Sequence, residues 1–235
     1  MSLLSNSEYI PIIISAISLL IPGIHHDTAI DELLLMRLYY VHDPMCSWCW
    51  AFRSVWNEVV KRLPGGVVTQ RVLGGLAPDS EVPMPAAMRS TIQETWRRIQ
   101  QVVPGTEFNF DFWTRCVPRR STYPACRAVI AAQSQAASYE EPMILAIQEA
   151  YYREARNPSD DETLLGLATR LGLDAERFKS DLNSAETQSL LREQICMSRK
   201  LGADGLPSLI LEHNGLHRRL PYNYRDAGVI LERIG

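Results

Sequence analysis

Two residues separate Cys46 from Cys49, the spacing of a thiol pair that can open and close a disulfide. On one helical face residues i and i+3 lie about 5–6 Å apart, a separation that a disulfide accepts. Asp43-Pro44-Met45 breaks the chain just before the pair. From Cys49 onward Phe52, Val55, Trp56, Val59 and Leu63 recur at helical spacing. Cys46 is therefore predicted at a helix start, where unpaired backbone N–H groups and the helix dipole favour a thiolate. Cys49 falls one turn inside, more buried and harder to ionise. Cys46 is then the attacking nucleophile, forming a mixed disulfide with a substrate, and Cys49 the resolving thiol that displaces it. The dipeptide between them, Ser47-Trp48, tunes the potential.

A structural zinc half-site is the competing reading of a CxxC, and it needs a second ligand pair. Cys116, Cys126 and Cys196 are scattered and form no such pair, so no metal is expected. Five cysteines are an odd number, which does not suit a disulfide scaffold.

The surrounding elements give the pair its setting. Arg37 to His42 is short, aromatic and β-branched and reads as a buried strand. Pro64-Gly65-Gly66 stops the helix, Val67 to Leu73 reads as a second strand, and Gly74-Gly75 ends it. This β–α–β opening implies a parallel strand pair. Residues 77–203 read as helical throughout. Met88, Ile92, Trp96, Ile99 and Val103 form one stripe. Thr122-Tyr123-Pro124 opens another helix with proline in its first turn, and Met143 to Tyr151 supplies a third. Ser159 with Glu162 is a capping-box pattern, and Asn183 with Glu186 a looser one. Strand character returns at Ser208 to Glu212, Asn214-Gly215 signals a hairpin, and Leu216 to Leu220 is its partner. A closing helix is expected from about Arg225 to Ile234. The architecture is a small mixed sheet with helices on it and a helical lobe between its halves. The divisions are 1–35 as an extension, 36–76 with 204–235 as the sheet domain, and 77–203 as an inserted helical domain.

At 235 residues with a net charge of −3, the chain can bury a substantial core and lacks the broad basic surface of a nucleic-acid binder. Ile10 to Ile24 is apolar but short for a membrane span, and neither Lys nor Arg precedes it. An upstream extension with Met36 as functional start, an unusual signal or anchor, and a packed helix all fit that segment. The expected address is cytoplasmic, with a periplasmic or secreted one only if the segment is an atypical signal.

Asp43-Pro44-Met45-Cys46-Ser47-Trp48-Cys49-Trp50-Ala51-Phe52 resembles the active-site opening of DsbA-like thioredoxin-fold proteins, in the cytosolic-type branch of protein-disulfide isomerases. The resemblance covers residues 36–235 and includes Gly205-Leu206-Pro207-Ser208 ahead of the late strand. It implies an α/β thioredoxin-like fold (β-α-β … β-β-α) with a large helical insertion domain. It also implies that Pro207 is a cis proline facing the CxxC, and that the Leu206 backbone pairs with an extended substrate, as strand addition allows. Thiols and disulfides of proteins or small molecules are the implied partners. No cofactor is implied beyond the dithiol, with glutathione a candidate co-substrate. Secreted DsbA proteins carry an export signal and a histidine between their cysteines, and this chain has Ser47-Trp48 there, so a strongly oxidising potential does not carry over.

Other residues have two readings each. His42 and Asp43 either move a proton for Cys49 or end a strand and cap the loop or helix start. Trp48 and Trp50 are either core and groove material or an apolar docking rim around the thiol. Arg115, Arg119 and Arg120 either hold carboxylates of glutathione or an acidic substrate, or make local ion pairs. Cys126 is a third redox thiol or an inert buried one, and Cys196 is expected in the core. A dithiol–disulfide oxidoreductase leads. The alternatives are a glutathione-dependent isomerase or transferase of the 2-hydroxychromene-2-carboxylate isomerase or kappa type, and a binding module or chaperone with incidental thiols.

Overall fold

The computed structural model describes residues 36–235, so the readings of Ile10 to Ile24 and of residues 1–35 lie outside the described residues. Strand β1 (Met36–His42) lies inside a four-stranded sheet of order β2-β1-β3-β4. It pairs in parallel with β2 (Val67–Leu73) and antiparallel with β3 (Ser208–His213). An interior strand is covered on both faces, which explains why Leu38 to His42 are all buried. The crossover from β1 to β2 is helix α1 (Ser47–Arg62), which lays Phe52, Val55, Trp56 and Val59 on Leu38, Tyr40, Leu209 and Leu211. On the opposite face Tyr39, Val41, Val72 and Ile210 pack with Leu201.

Between β2 and β3 the regular elements are all helical: α2 (Ala86–Val102), α3 (Phe112–Arg115), α4 (Tyr123–Gln135), a 3-10 turn (Ala137–Tyr139), α5 (Glu140–Tyr152), α6 (Asp161–Arg170), α7 (Ala175–Leu182) and α8 (Ala185–Lys200). Their core is one continuous cluster built around Trp96, with Phe112, Trp113, Tyr151 and Tyr152 packed on it at ring separations of 5.0–6.2 Å. Fold class and helical insertion are as expected from the sequence.

The hairpin β3–β4 (Leu216–Leu220) turns through Asn214 and Gly215 at φ 51° and 75°, the left-handed pair that a two-residue turn requires. Strand β4 is an outer strand of the sheet, and Leu216, His217, Arg218 and Arg219 on it are exposed.

Several local expectations are corrected. The closing helix is only α9 (Gly228–Leu231), because Asn223 and Asp226 accept from Arg225 N and Gly228 N and bend the chain before it. Ser159 does not cap α6: its hydroxyl donates to Ser121 O at 2.6 Å, and Asp160 is the terminal residue. Helix α8 is capped by Ser184, which accepts from Thr187 N at 3.1 Å, while Asn183 ends α7. Met88 leaves the α2 stripe for solvent, and Cys196 is exposed because Ile195 takes the inward position.

Candidate active site

Register brings the pieces of the site together. His42 pairs with Leu73, and Val41 with Ser208, so the loops after β1 and β2 and before β3 emerge at one sheet end. The first helical bond of α1 runs from Trp50 N to Cys46 O at 3.0 Å, which leaves the N–H groups of Ser47, Trp48 and Cys49 at the open helix end. Cys46 is the residue preceding the helix, and its Sγ–H donates to Leu206 O at 3.5 Å. Cys46 is 6% exposed and Cys49 1%. Both are free thiols, close enough that each bears on the ionisation of the other. Burial, then the proximity of Cys46, pushes the Cys49 thiol well above the usual range.

The loop facing Cys46 is fixed from behind. The Leu206–Pro207 bond is cis. Ser208 Oγ donates to Gly205 O at 2.7 Å, and Tyr222 donates its hydroxyl hydrogen to Pro207 O at 3.1 Å. The Leu206 side chain lies over Gly74, where a Cβ would meet Leu206 Cδ2 at 2.9 Å. A side chain at position 74 would have to displace the end of Leu206. Sequence reasoning missed Ser208 and Tyr222, since their partners are set by tertiary structure.

Asp43 is fully buried and holds the loop before the cysteines. Its carboxylate accepts from Met45 N and Leu76 N, both at 2.8 Å, from Thr122 Oγ1 at 2.7 Å and from Cys126 Sγ at 3.6 Å. Desolvation raises its pKa above 3.8, and these donors oppose the rise. Asp43 thus caps the loop and not α1, whose start has no side-chain cap.

His42 ends β1 fully buried, with Nε2 free of any hydrogen-bond partner among the described residues. Burial, followed by the charges of Arg71 and Arg53, lowers its pKa to about 3, so it stays neutral. Beneath it Arg53 binds Glu141 and Gln148, and Arg71 binds Glu140 and Glu141. This network ties α1 and β2 to α5 directly behind Cys49, and no local sequence pattern marks it.

The tryptophans part company. Residues two apart on a helix project about 200° apart. Trp48 packs on Tyr224 at 4.9 Å, and Trp50 stacks on Tyr152 at 5.7 Å and donates to Glu107 O at 3.0 Å. They do not make one rim. Arg119 binds Asp160 at 2.7 Å and Ser159 O at 2.6 Å, while Arg115 and Arg120 are exposed. Cys126 is buried in the helical core and bound to Asp43. Among the described residues no three His, Cys, Asp or Glu side chains gather as a metal site, and no helix is long and apolar enough to cross a membrane.

Comparison with known proteins adds a family. The model of the DSBA-like thioredoxin domain matches residues 38–220. A provisionally assigned protein disulfide isomerase from Nitrosomonas europaea superposes with a TM-score of 0.73 at 25% identity, over 85% of this chain and 95% of that one. The cytosolic disulfide reductase DsbM of Pseudomonas aeruginosa gives 0.67 at 26%, over 84% and 97%, and has also been solved with GSH. Two curated relatives, from Halalkalibacterium halodurans and Bacillus subtilis, are both called ClpXP adapter protein SpxH. Each is 23% identical, over 84% and 80% of this chain, and the match spans 67% and 63% of their own lengths.

Proposed function

Because this chain belongs to the DSBA-like thioredoxin domain family, we propose that it is a thiol–disulfide oxidoreductase exchanging disulfides with protein or small thiols through Cys46 and Cys49. The observation that carries this reading is the placing of two free thiols at an open helix end, Cys46 just before α1 and Cys49 in its first turn, with Cys46 opposite the Leu206 carbonyl. Cys46, as thiolate, attacks a substrate disulfide and one substrate sulfur leaves as a thiol. Cys49 then attacks Cys46 Sγ, closing the Cys46–Cys49 disulfide and releasing the second sulfur. Leu206 offers its backbone to an extended substrate beside the reacting sulfur. No bound cofactor is needed. Glutathione is the small thiol this reading assigns as co-substrate, supported by the GSH-bound structure of DsbM, and a cytosolic address goes with it.

Redox titration in glutathione buffers, with alkylation and mass spectrometry, tests the proposal. Cys46 and Cys49 should lose alkylation together, in a single two-electron transition. Independent behaviour of the two thiols would remove the reading. The glutathione isomerase or transferase alternative is disfavoured by the second free thiol in the first turn of α1.

The names of the curated relatives favour a second reading, an adapter that binds a client protein. The readings divide over the thiols. An adapter keeps its client affinity when Cys46 and Cys49 are both changed to alanine, whereas an oxidoreductase loses all turnover.

A further inference from the structure

The register of β3 with β4 runs from His213↔Leu216 to Leu209↔Leu220, and carried further along both strands it sets Tyr222 across from Pro207. The backbone ladder stops short of that position, because Pro221 has no N–H to give it. A side chain crosses instead: the Tyr222 hydroxyl donates to Pro207 O at 3.1 Å. The Tyr222 ring lies 5.1 Å from that of Phe52, which is fully buried on α1. Tyr224 packs on both rings, 5.9 Å from Phe52 and 5.5 Å from Tyr222, and on Trp48 at 4.9 Å. One short segment after β4 therefore touches the helix that carries the cysteines and the loop that carries the Leu206 carbonyl.

The 3.5 Å approach of Cys46 Sγ to Leu206 O has two ends to fix. The sulfur end belongs to α1. At the other end, the Leu206 and Pro207 carbonyls are separated by the two backbone dihedrals of Pro207, and the proline ring locks one of them. A bond that holds Pro207 O therefore sets the direction of Leu206 O. We propose that Tyr222 is a positioning residue that braces the proline loop against α1 and so aims the Leu206 backbone at an incoming peptide disulfide. This inference rests on the exchange reading and adds a specificity to it: the site favours disulfides that carry a peptide backbone beside the sulfur. Strand pairing rewards a backbone whose direction is set before the substrate arrives. Sulfur exchange itself runs through Cys46 and Cys49 and not through the tyrosine, so a disulfide without peptide groups is indifferent to it.

Oxidation of the reduced full-length protein, quenched by alkylation and read by mass spectrometry, tests this with two disulfides. One joins two short extended peptides through cysteine; the other is hydroxyethyl disulfide, which has no peptide group. Tyr222→Phe keeps the ring on Phe52 and deletes the hydroxyl. It should raise the half-saturating concentration of the peptide disulfide about fivefold, with its limiting rate and the hydroxyethyl disulfide rate within about twofold of wild type. Tyr39→Phe deletes a hydroxyl bonded to Glu212 at 2.7 Å elsewhere on the sheet, and as the matched control for lost stability it should move neither. Equal losses with both disulfides in Tyr222→Phe would mark a structural lesion and overturn the positioning role, as would an unchanged half-saturating concentration. Both results leave the exchange reading intact. A wild-type protein that neither disulfide oxidises sinks that reading and this proposal with it. The carbonyl carbon resonance of Leu206 gives a reading without substrate: it should shift in Tyr222→Phe, and a resonance at its wild-type position overturns the proposal.

Discussion

The thiol of Cys46 lies 3.5 Å from the carbonyl oxygen of Leu206, a residue 160 positions further along the chain. No local pattern could bring these two together. The sheet does it, by pairing β1 with β3 so that the cysteine loop and the proline loop leave from the same end. The Cys46 sulfur and the Leu206 backbone acceptor therefore meet in one place.

The assigned roles of the two cysteines predict opposite phenotypes. Cys46→Ser should abolish dithiol turnover, whereas Cys49→Ser should accumulate a mixed disulfide with glutathione that persists until excess reductant is added. Intact mass spectrometry after incubation with oxidised glutathione separates the two. Equal labelling of both variants would erase the assignment, and an adduct that persists only in Cys46→Ser would reverse it.

His42 gives stability a pH dependence of definite sign. Its folded pKa is about 3 against an ordinary 6.5, so between those values the unfolded chain binds a proton that the folded one does not. Stability should fall by about 1 kcal/mol for each pH unit lost in that window. Asp43 acts oppositely: its raised folded value means that its contribution declines as pH climbs past 3.8. Urea denaturation at several pH values, comparing wild type with His42→Phe, isolates the histidine, and the variant should show the shallower slope.

Asp43→Ala should cost about 3 kcal/mol or more, since it leaves the Leu76 and Met45 N–H groups and the Thr122 hydroxyl without their acceptor. It should also loosen the cysteine loop, seen as faster hydrogen exchange at the Met45 and Leu76 amides. Unchanged exchange at those two amides would show that the carboxylate does not hold the loop.

Gly75→Ala should lower stability by about 2 kcal/mol. Gly75 has φ of +59°, and a Cβ there would lie 2.6 Å from Ile195 Cδ1 and 2.9 Å from Tyr123 Cε1. A shift in the denaturation midpoint with an unchanged slope is the expected outcome. A variant as stable as wild type would mean that the loop can relax.

How far the sequence could be read depended on the range of each determinant. Strands β2 and β4 have the bounds that composition and turn residues imply, because Gly74-Gly75 and Asn214-Gly215 act on their own neighbours, while β1 begins one residue before the Arg37 read from the sequence. Helix α1 was legible from its apolar spacing. Asp43 was readable as a capping residue, but its partners Leu76 and Thr122 lie 33 and 79 residues away. The same distance in sequence hid the Arg53–Glu141–Arg71 network and the partners of Trp48 and Trp50. Ser159 failed as a cap for a tertiary reason, since the Ser121 carbonyl claimed its hydroxyl.

Strand β4 leaves a ladder of backbone groups turned outward, a surface on which another strand could continue the sheet. Arg218 and Arg219 stand on that margin, exposed and adjacent. Arg219 is paired with Asp204, so Arg218 is the cation that a second copy meeting this margin would set against its own image. Such repulsion weakens as salt rises, and crowded, saline conditions are where runaway pairing of this strand would first show.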